Sequence, residues 1–226
     1  MARISRKELK RDEFIEATKE AENWLEENWR LVLRIAGGVV VVGLLVGGWF
    51  WYGSLSRRQA AGLLQDGLAA YQTAQEAGFV DATALDTALG KFERAARKGG
   101  GSPVGLVAEY YRGVALHRLG RSEESIDSLG EVAVSAGAPA SLRGSASAVL
   151  AEVYAATGEQ DRAVAMLESL IAAEPPTYPI DQALLALAEL HERSGDTDRA
   201  RQLWQRIVDE YPARGAADEA RQRLGS

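Results

Sequence analysis

Cysteine is missing from the 226 residues. That removes disulfides, thiolate metal sites, cysteine nucleophiles and an N-terminal lipidated cysteine in one step. Histidine is nearly missing: His117 and His191 stand far apart, with no further ligands at metal-binding spacing. Excess positive charge is missing as well. The 26 Lys/Arg against 32 Asp/Glu leave a net charge of -6, so nucleic acid is not an expected partner. No phosphate-cradling G-x-x-x-x-G-K-[ST] order occurs. The glycine-rich run from Lys98 to Pro103 follows helical sequence, not a strand, and reads as a flexible inter-helix loop. Strand-type alternation is absent too. These gaps predict a protein that is not an enzyme, with no catalytic residues, no metal, no cofactor and no small-molecule substrate.

The longest stretch without charge is informative by contrast. From Ile35 to Ser56 there is no Asp, Glu, Lys, Arg or His. As a helix this run extends roughly 33 Å, about the thickness of a bilayer's hydrocarbon core. Trp49, Trp51 and Tyr52 lie at one end, and Trp24 and Trp29 precede the other, as interfacial aromatics do. The run exceeds a signal-peptide apolar region, so an uncleaved single-pass anchor over 35–56 is expected. Residues 1–34 hold eight Lys/Arg, from Arg3 to Arg34, whereas Arg57 and Arg58 stand alone until Lys91. That asymmetry places the N-terminus in the cytoplasm and the C-terminal domain across the membrane, in the periplasm of a bacterial cell. Residues 5–30 carry Phe14, Ala17, Ala21, Trp24, Leu25 and Trp29 at three- and four-residue steps. They read as an amphipathic leader helix, either solvated or lying on the membrane. Gly43 and Gly47 form a G-x-x-x-G, which either packs against another membrane helix or reflects the frequency of glycine in such helices.

Residues 57–226 carry helical periodicity and a repeat. Gly120, Gly158 and Gly195 are separated by 38 and 37 residues, and each follows an apolar run and precedes a polar turn. Glycine there can adopt the left-handed conformation that ends a helix. Seven residues before each lies Gly113, Ala151 or Ala188, and five after it Ser125, Ala163 or Ala200. Larger apolar residues follow in register: Leu129, Leu167 and Trp204, then Val132, Leu170 and Ile207. Small residues let paired helices cross closely, large ones fill the space to the next pair, and Pro175 and Pro212 stop the second helix.

Tyr154, Gly158, Ala163, Leu167, Leu170 and Pro175, and again Ala188, Gly195, Ala200, Trp204, Ile207 and Pro212, resemble the tetratricopeptide repeat pattern. Ala88, Phe92 and Ala95 suggest an earlier copy with a lengthened first helix. The resemblance implies an all-α chain: one transmembrane helix, then an α-solenoid with repeats near 57–98, 103–137, 141–175 and 180–212 and a capping helix over 213–225. The order of leader, anchor with a Trp-rich end, long first helix and degenerate repeats resembles the ancillary subunit of the bacterial Sec translocon, the YfgM-type family. That resemblance implies an inner-membrane scaffold with protein partners: translocon subunits, a periplasmic chaperone and emerging polypeptide chains. A scaffold of another envelope assembly, for cell division or cytochrome maturation, is the competing expectation. In the repeat pattern the concave groove falls on Val107, Tyr110, Val114, His117 and Arg118, then on Ser145, Ala148, Glu152, Ala155 and Ala156, and last on Gln182, Leu185, Glu189, Glu192 and Arg193. Apolar toward the first of these repeats and acidic toward the last, it suits a peptide with some positive charge.

Overall fold

A computed structural model describes residues 55–79 and 82–225. The leader (1–34), nearly all of the expected membrane segment, and Gly43 and Gly47 lie outside the described residues. Among the described residues there is no strand, and no helix is long and apolar enough to cross a membrane.

The helices are α1 (55–76), α2 (Ala82–Gly99), α3 (Pro103–Arg118), α4 (Ser122–Val134), α5 (Ala140–Ala156), α6 (Gln160–Ala172), α7 (Ile180–Arg193), α8 (Thr197–Glu210) and α9 (Gly215–Leu224). From α2 onward each packs on its neighbours in sequence; beyond that, α3 touches α5 and α7 touches α9. This nearest-neighbour pattern is that of an α-solenoid.

Local sequence explains the boundaries. Pro103 opens α3 behind Ser102, whose hydroxyl accepts a hydrogen bond from the Gly105 N–H. Asp196 caps α8 in the same way, accepting from the Arg199 N–H. Glu123 and Glu124, Asp161, Asp198 and Asp218 sit in first turns, where a negative charge meets the positive end of the helix dipole. Gly120, Gly158 and Gly195 have φ of 73°, 84° and 84°. Each closes its helix with a paired bond set. At the first, the Gly120 N–H donates to the His117 carbonyl and the Arg121 N–H to that of Leu116. Gly78 (φ 66°) ends α1 likewise, with Phe79 following at φ 59°. The sequence register did not include it, because its distance to Gly120 exceeds the regular spacing.

The glycine-rich run between α2 and α3 is a close-packed corner where a flexible loop was expected. Gly99 and Gly105 bring their backbones into contact, and a Cβ on Gly105 would collide with the Gly100 carbonyl. The Ser102 N–H donates to the Gly99 carbonyl and closes the turn.

Four apolar clusters follow one another along the stack, and the last three share partly buried side chains, Tyr154 and Met166 and then Ile171 and Leu203. Phe92 with Ala88, Leu89, Ala115 and Leu116 joins α2 to α3. Leu106, Leu129, Val132, Leu150 and Val153 join α3, α4 and α5. Ala151, Ala163, Leu167, Leu170 and Leu187 join α5, α6 and α7. Leu184, Ala188, Ala200, Trp204 and Ile207 join α7 and α8 to Ala216, Ala217 and Ala220 of α9. The small crossing positions and the larger apolar positions inferred from the glycine spacing are all buried, from Gly113 and Ser125 to Trp204 and Ile207, while Pro175 and Pro212 are exposed. The outer face of α9 is polar, with Asp218, Arg221 and Gln222 exposed, so it ends the stack.

Candidate protein-binding groove

The first helices of successive pairs line one concave face. At its centre is a cleft of about 300 Å³ lined by His117 of α3, Ala148, Ala151, Glu152, Ala155 and Ala156 of α5, Leu167 of α6, and Ala186, Glu189, Leu190 and Arg193 of α7. Ala151 is the crossing position of α5, kept small to pack against α6, and four further alanines line the cleft around it.

The charged side chains sit above this floor. Glu152 has an exposed side chain, but the helices on either side displace much of the surrounding water. Its carboxyl pKa is raised by that desolvation, with Arg118 and Arg193 opposing the shift. The Glu189 pKa is raised too, first by burial and then by Glu219, against Arg193 and Arg223. His117 is held below the ordinary histidine value by burial and by Arg118. Burial pushes Tyr110 up to about 12, aided by Tyr111, Tyr178 and Glu152. Tyr178 is raised by burial and then by Glu152.

The expected groove residues divide. Glu152 and Glu189 share the cleft with His117 and Arg193. Tyr110 lies alongside, its ring edge-on to Tyr111 at 5.1 Å. Arg118 sits 5.2 Å over the Phe79 ring and within electrostatic reach of Glu152. Val114 is half-buried against the α3–α5 core and Leu185 against the α7–α9 core. Glu192 is paired with Arg223 of α9 at 2.7 Å. The acidic end foreseen for the groove is therefore interleaved with Arg193 and Arg223. Sequence reasoning missed Tyr178, which sits in the Pro175–Pro179 loop; an aromatic among loop prolines was the available signal. It also missed Tyr71, which lines a second hollow with Leu68, Gln72, Gln75, Glu76 and Tyr111.

His191 illustrates the chemistry the site lacks. It is buried at the α7/α8 joint with Nδ1 3.5 Å from an Asp196 carboxylate oxygen, away from the His117 cleft. Among the described residues no three His, Cys, Asp or Glu side chains gather as metal ligands.

The α-solenoid thus presents a partly charged groove between α3, α5, α6 and α7. Tetratricopeptide-repeat models match residues 78–141, 144–169 and 182–213. The solenoid is thus built of tetratricopeptide-type repeats, a class of protein–protein interaction scaffold that is generally non-enzymatic. Solved structures of similar fold include MamA, with 20% identity over 66% of this chain and 77% of that one and a TM-score of 0.51. Another is a Podosopora anserina putative kinesin light chain with nearly identical repeats (17%, 73% and 84%, TM-score 0.59). A tetratricopeptide repeat protein from Parabacteroides merdae is a third (18%, 74% and 59%, TM-score 0.54). At these identities the likeness is one of fold. No curated protein matches the sequence significantly.

Proposed function

We propose that the protein is a membrane-anchored interaction scaffold of the bacterial inner membrane. Ile35–Ser56 crosses the bilayer once, the leader lies in the cytoplasm and the solenoid in the periplasm. In this reading it is an ancillary subunit of the Sec translocon that brings a periplasmic chaperone to emerging chains.

The scaffold part is carried by the groove: Glu152 and Glu189 stand in a cleft and make no hydrogen bond or ion pair among the described residues. Open to water in the free protein, these carboxylates offer a partner chain charge-assisted hydrogen-bond acceptors. The anchor is supported by the charge-free run and the Lys/Arg asymmetry around it, and the translocon by the order of segments. The test is mild detergent extraction of the intact protein, with identification of what co-purifies. Translocon subunits are the expected partners. A set drawn from the division or cytochrome-maturation machinery would move the scaffold to that assembly. Protease added to spheroplasts is expected to digest the solenoid and spare residues 1–34; the reverse pattern overturns the topology.

A further inference from the structure

The chain is acidic overall, with a net charge of -6, yet one end of its first helix pair is basic. Residues 55–65 and 94–108 hold no Asp or Glu, and between them they carry Arg57, Arg58, Arg94, Arg97 and Lys98. The fold joins the two stretches. The Ser56 hydroxyl donates to the Lys98 carbonyl at 2.7 Å, and the Lys98 ammonium donates to the Gln59 amide oxygen at 2.8 Å. The last turn of α2 therefore lies beside the first turn of α1, and the five basic side chains are exposed. Arg57, Arg58 and Arg97 make no ion pair among the described residues. The acids nearest along the helices are paired or set back. Asp66 meets Lys91 at 3.0 Å, Glu109 meets Arg112 at 2.6 Å, and Glu93 shares a hollow with Arg97 and Arg112. Chain order locates this end: the charge-free run stops at Ser56, immediately before Arg57.

We propose that the basic end of the α1/α2 pair rests on the membrane surface and binds the phosphates of anionic lipid headgroups. The proposal rests on the reading that 35–56 crosses the bilayer, and its test separates the two. Guanidinium groups take phosphate oxygens in paired, charge-assisted hydrogen bonds. Each basic side chain close to an anionic leaflet raises the occupancy of the docked state about fivefold. The attraction fades over a screening length of about 10 Å, so charges at this end take part and those along the rest of the solenoid do not. An acidic protein could pair with the same side chains, but the anchor keeps lipid phosphates beside them at high effective concentration, which favours lipid.

The chain has no cysteine, so a single label site can be introduced. Gly101, in the corner next to Lys98, is exposed, and a Cβ there meets nothing within 4 Å. The full chain carrying Gly101→Cys is labelled with a fluorophore and reconstituted into phosphatidylcholine vesicles with or without phosphatidylglycerol. Lipids tagged with a nitroxide at the headgroup quench a label that touches the surface. Phosphatidylglycerol is expected to raise quenching severalfold. Salt at about 1 M, which shortens the screening length to about 3 Å, is expected to reverse it. Arg97→Gln/Lys98→Gln, at exposed positions outside the charge-free run, lowers the ratio of docked to free protein about fivefold per charge. Arg199→Gln/Arg201→Gln, the same charge loss on exposed positions of α8, leaves the ratio unchanged. Equal quenching in the two lipids, or in parent and Arg97→Gln/Lys98→Gln, overturns the surface contact, and the anchor stands if alkaline carbonate leaves the chain in the vesicles. An equal loss in the α8 variant makes the attraction one of net charge and overturns the site. A chain that carbonate extracts overturns the anchor and this proposal together.

Discussion

In the α3/α4 pair the helices cross at Gly113 and Ser125, and in the α7/α8 pair the same positions hold Ala188 and Ala200. The first pair is joined partly by polar contacts. The Ser125 hydroxyl donates to the Gly113 carbonyl at 2.8 Å, and Arg112, held by Glu109 of its own helix at 2.6 Å, donates to Ser128 at 2.9 Å. The second is joined by apolar volume: Trp204 and Ile207 fill the space that Leu129 and Val132 fill in the first. What the architecture demands is a small residue at the crossing and volume further along. It tolerates a hydroxyl because a helix carbonyl is there to accept its bond.

Truncation of Trp204 gives the largest expected effect. Trp204→Ala should cost about 3–5 kcal/mol in chemical denaturation, by lost burial and the cavity left between α7, α8 and α9. Its Nε1 has no hydrogen-bond partner among the described residues. Trp204→Phe should therefore cost clearly less than the Ala variant, because it removes volume and the unsatisfied donor together. If the two are equal, the apolar account of this pair fails.

Next is the crossing itself. A Cβ on Gly113 would lie 2.6 Å from Leu129 Cγ. Gly113→Ala should destabilise by roughly 1–2 kcal/mol, overpacking outweighing the gain in helix propensity. The converse change, Ala188→Gly, should cost about 1 kcal/mol with no steric component. A stabilised Gly113→Ala would show that the crossing is looser than drawn.

Smaller still is Ser125→Ala, at no more than about 1 kcal/mol, since alanine occupies this position in the other two repeats. A larger loss would mean that the hydroxyl sets the crossing angle.

The smallest effect is on pH dependence. The folded-state pKa of His117 is lowered, so the unfolded chain takes up the proton first and stability falls as pH drops below about 6.5. Glu152 and Glu189 have raised values and act oppositely, so stability falls as pH rises from about 4.5 through their folded-state values. Thermal midpoints across this range should rise on the acid side in His117→Gln and on the neutral side in the Glu152→Gln/Glu189→Gln double variant. Identical profiles for all three proteins would contradict both shifts.

The sequence made the repeat legible because helix-ending glycines and crossing residues answer to backbone geometry, which leaves few residue types acceptable. The groove was legible only in part, because one residue of offset turns a side chain by about 100° on a helix. His117 lies three residues before its glycine and faces the cleft, while His191 lies four before and points into its own joint. Glu192 and Leu185 were placed by pattern in the groove, but partners from α9 and the α7–α9 core engage them. Tyr178 was hidden because nothing in a proline loop announces which helix it folds against.

The glycine closures have a consequence for how the chain is made. Each joins two helices across a few residues, and almost all packing is between elements adjacent in sequence. Low contact order of this kind allows folding one hairpin at a time. A chain delivered N-terminus first can bury each new apolar stripe on the pair before it, without waiting for a distant segment. The α7/α8 pair has its open face covered by α9, which follows it directly.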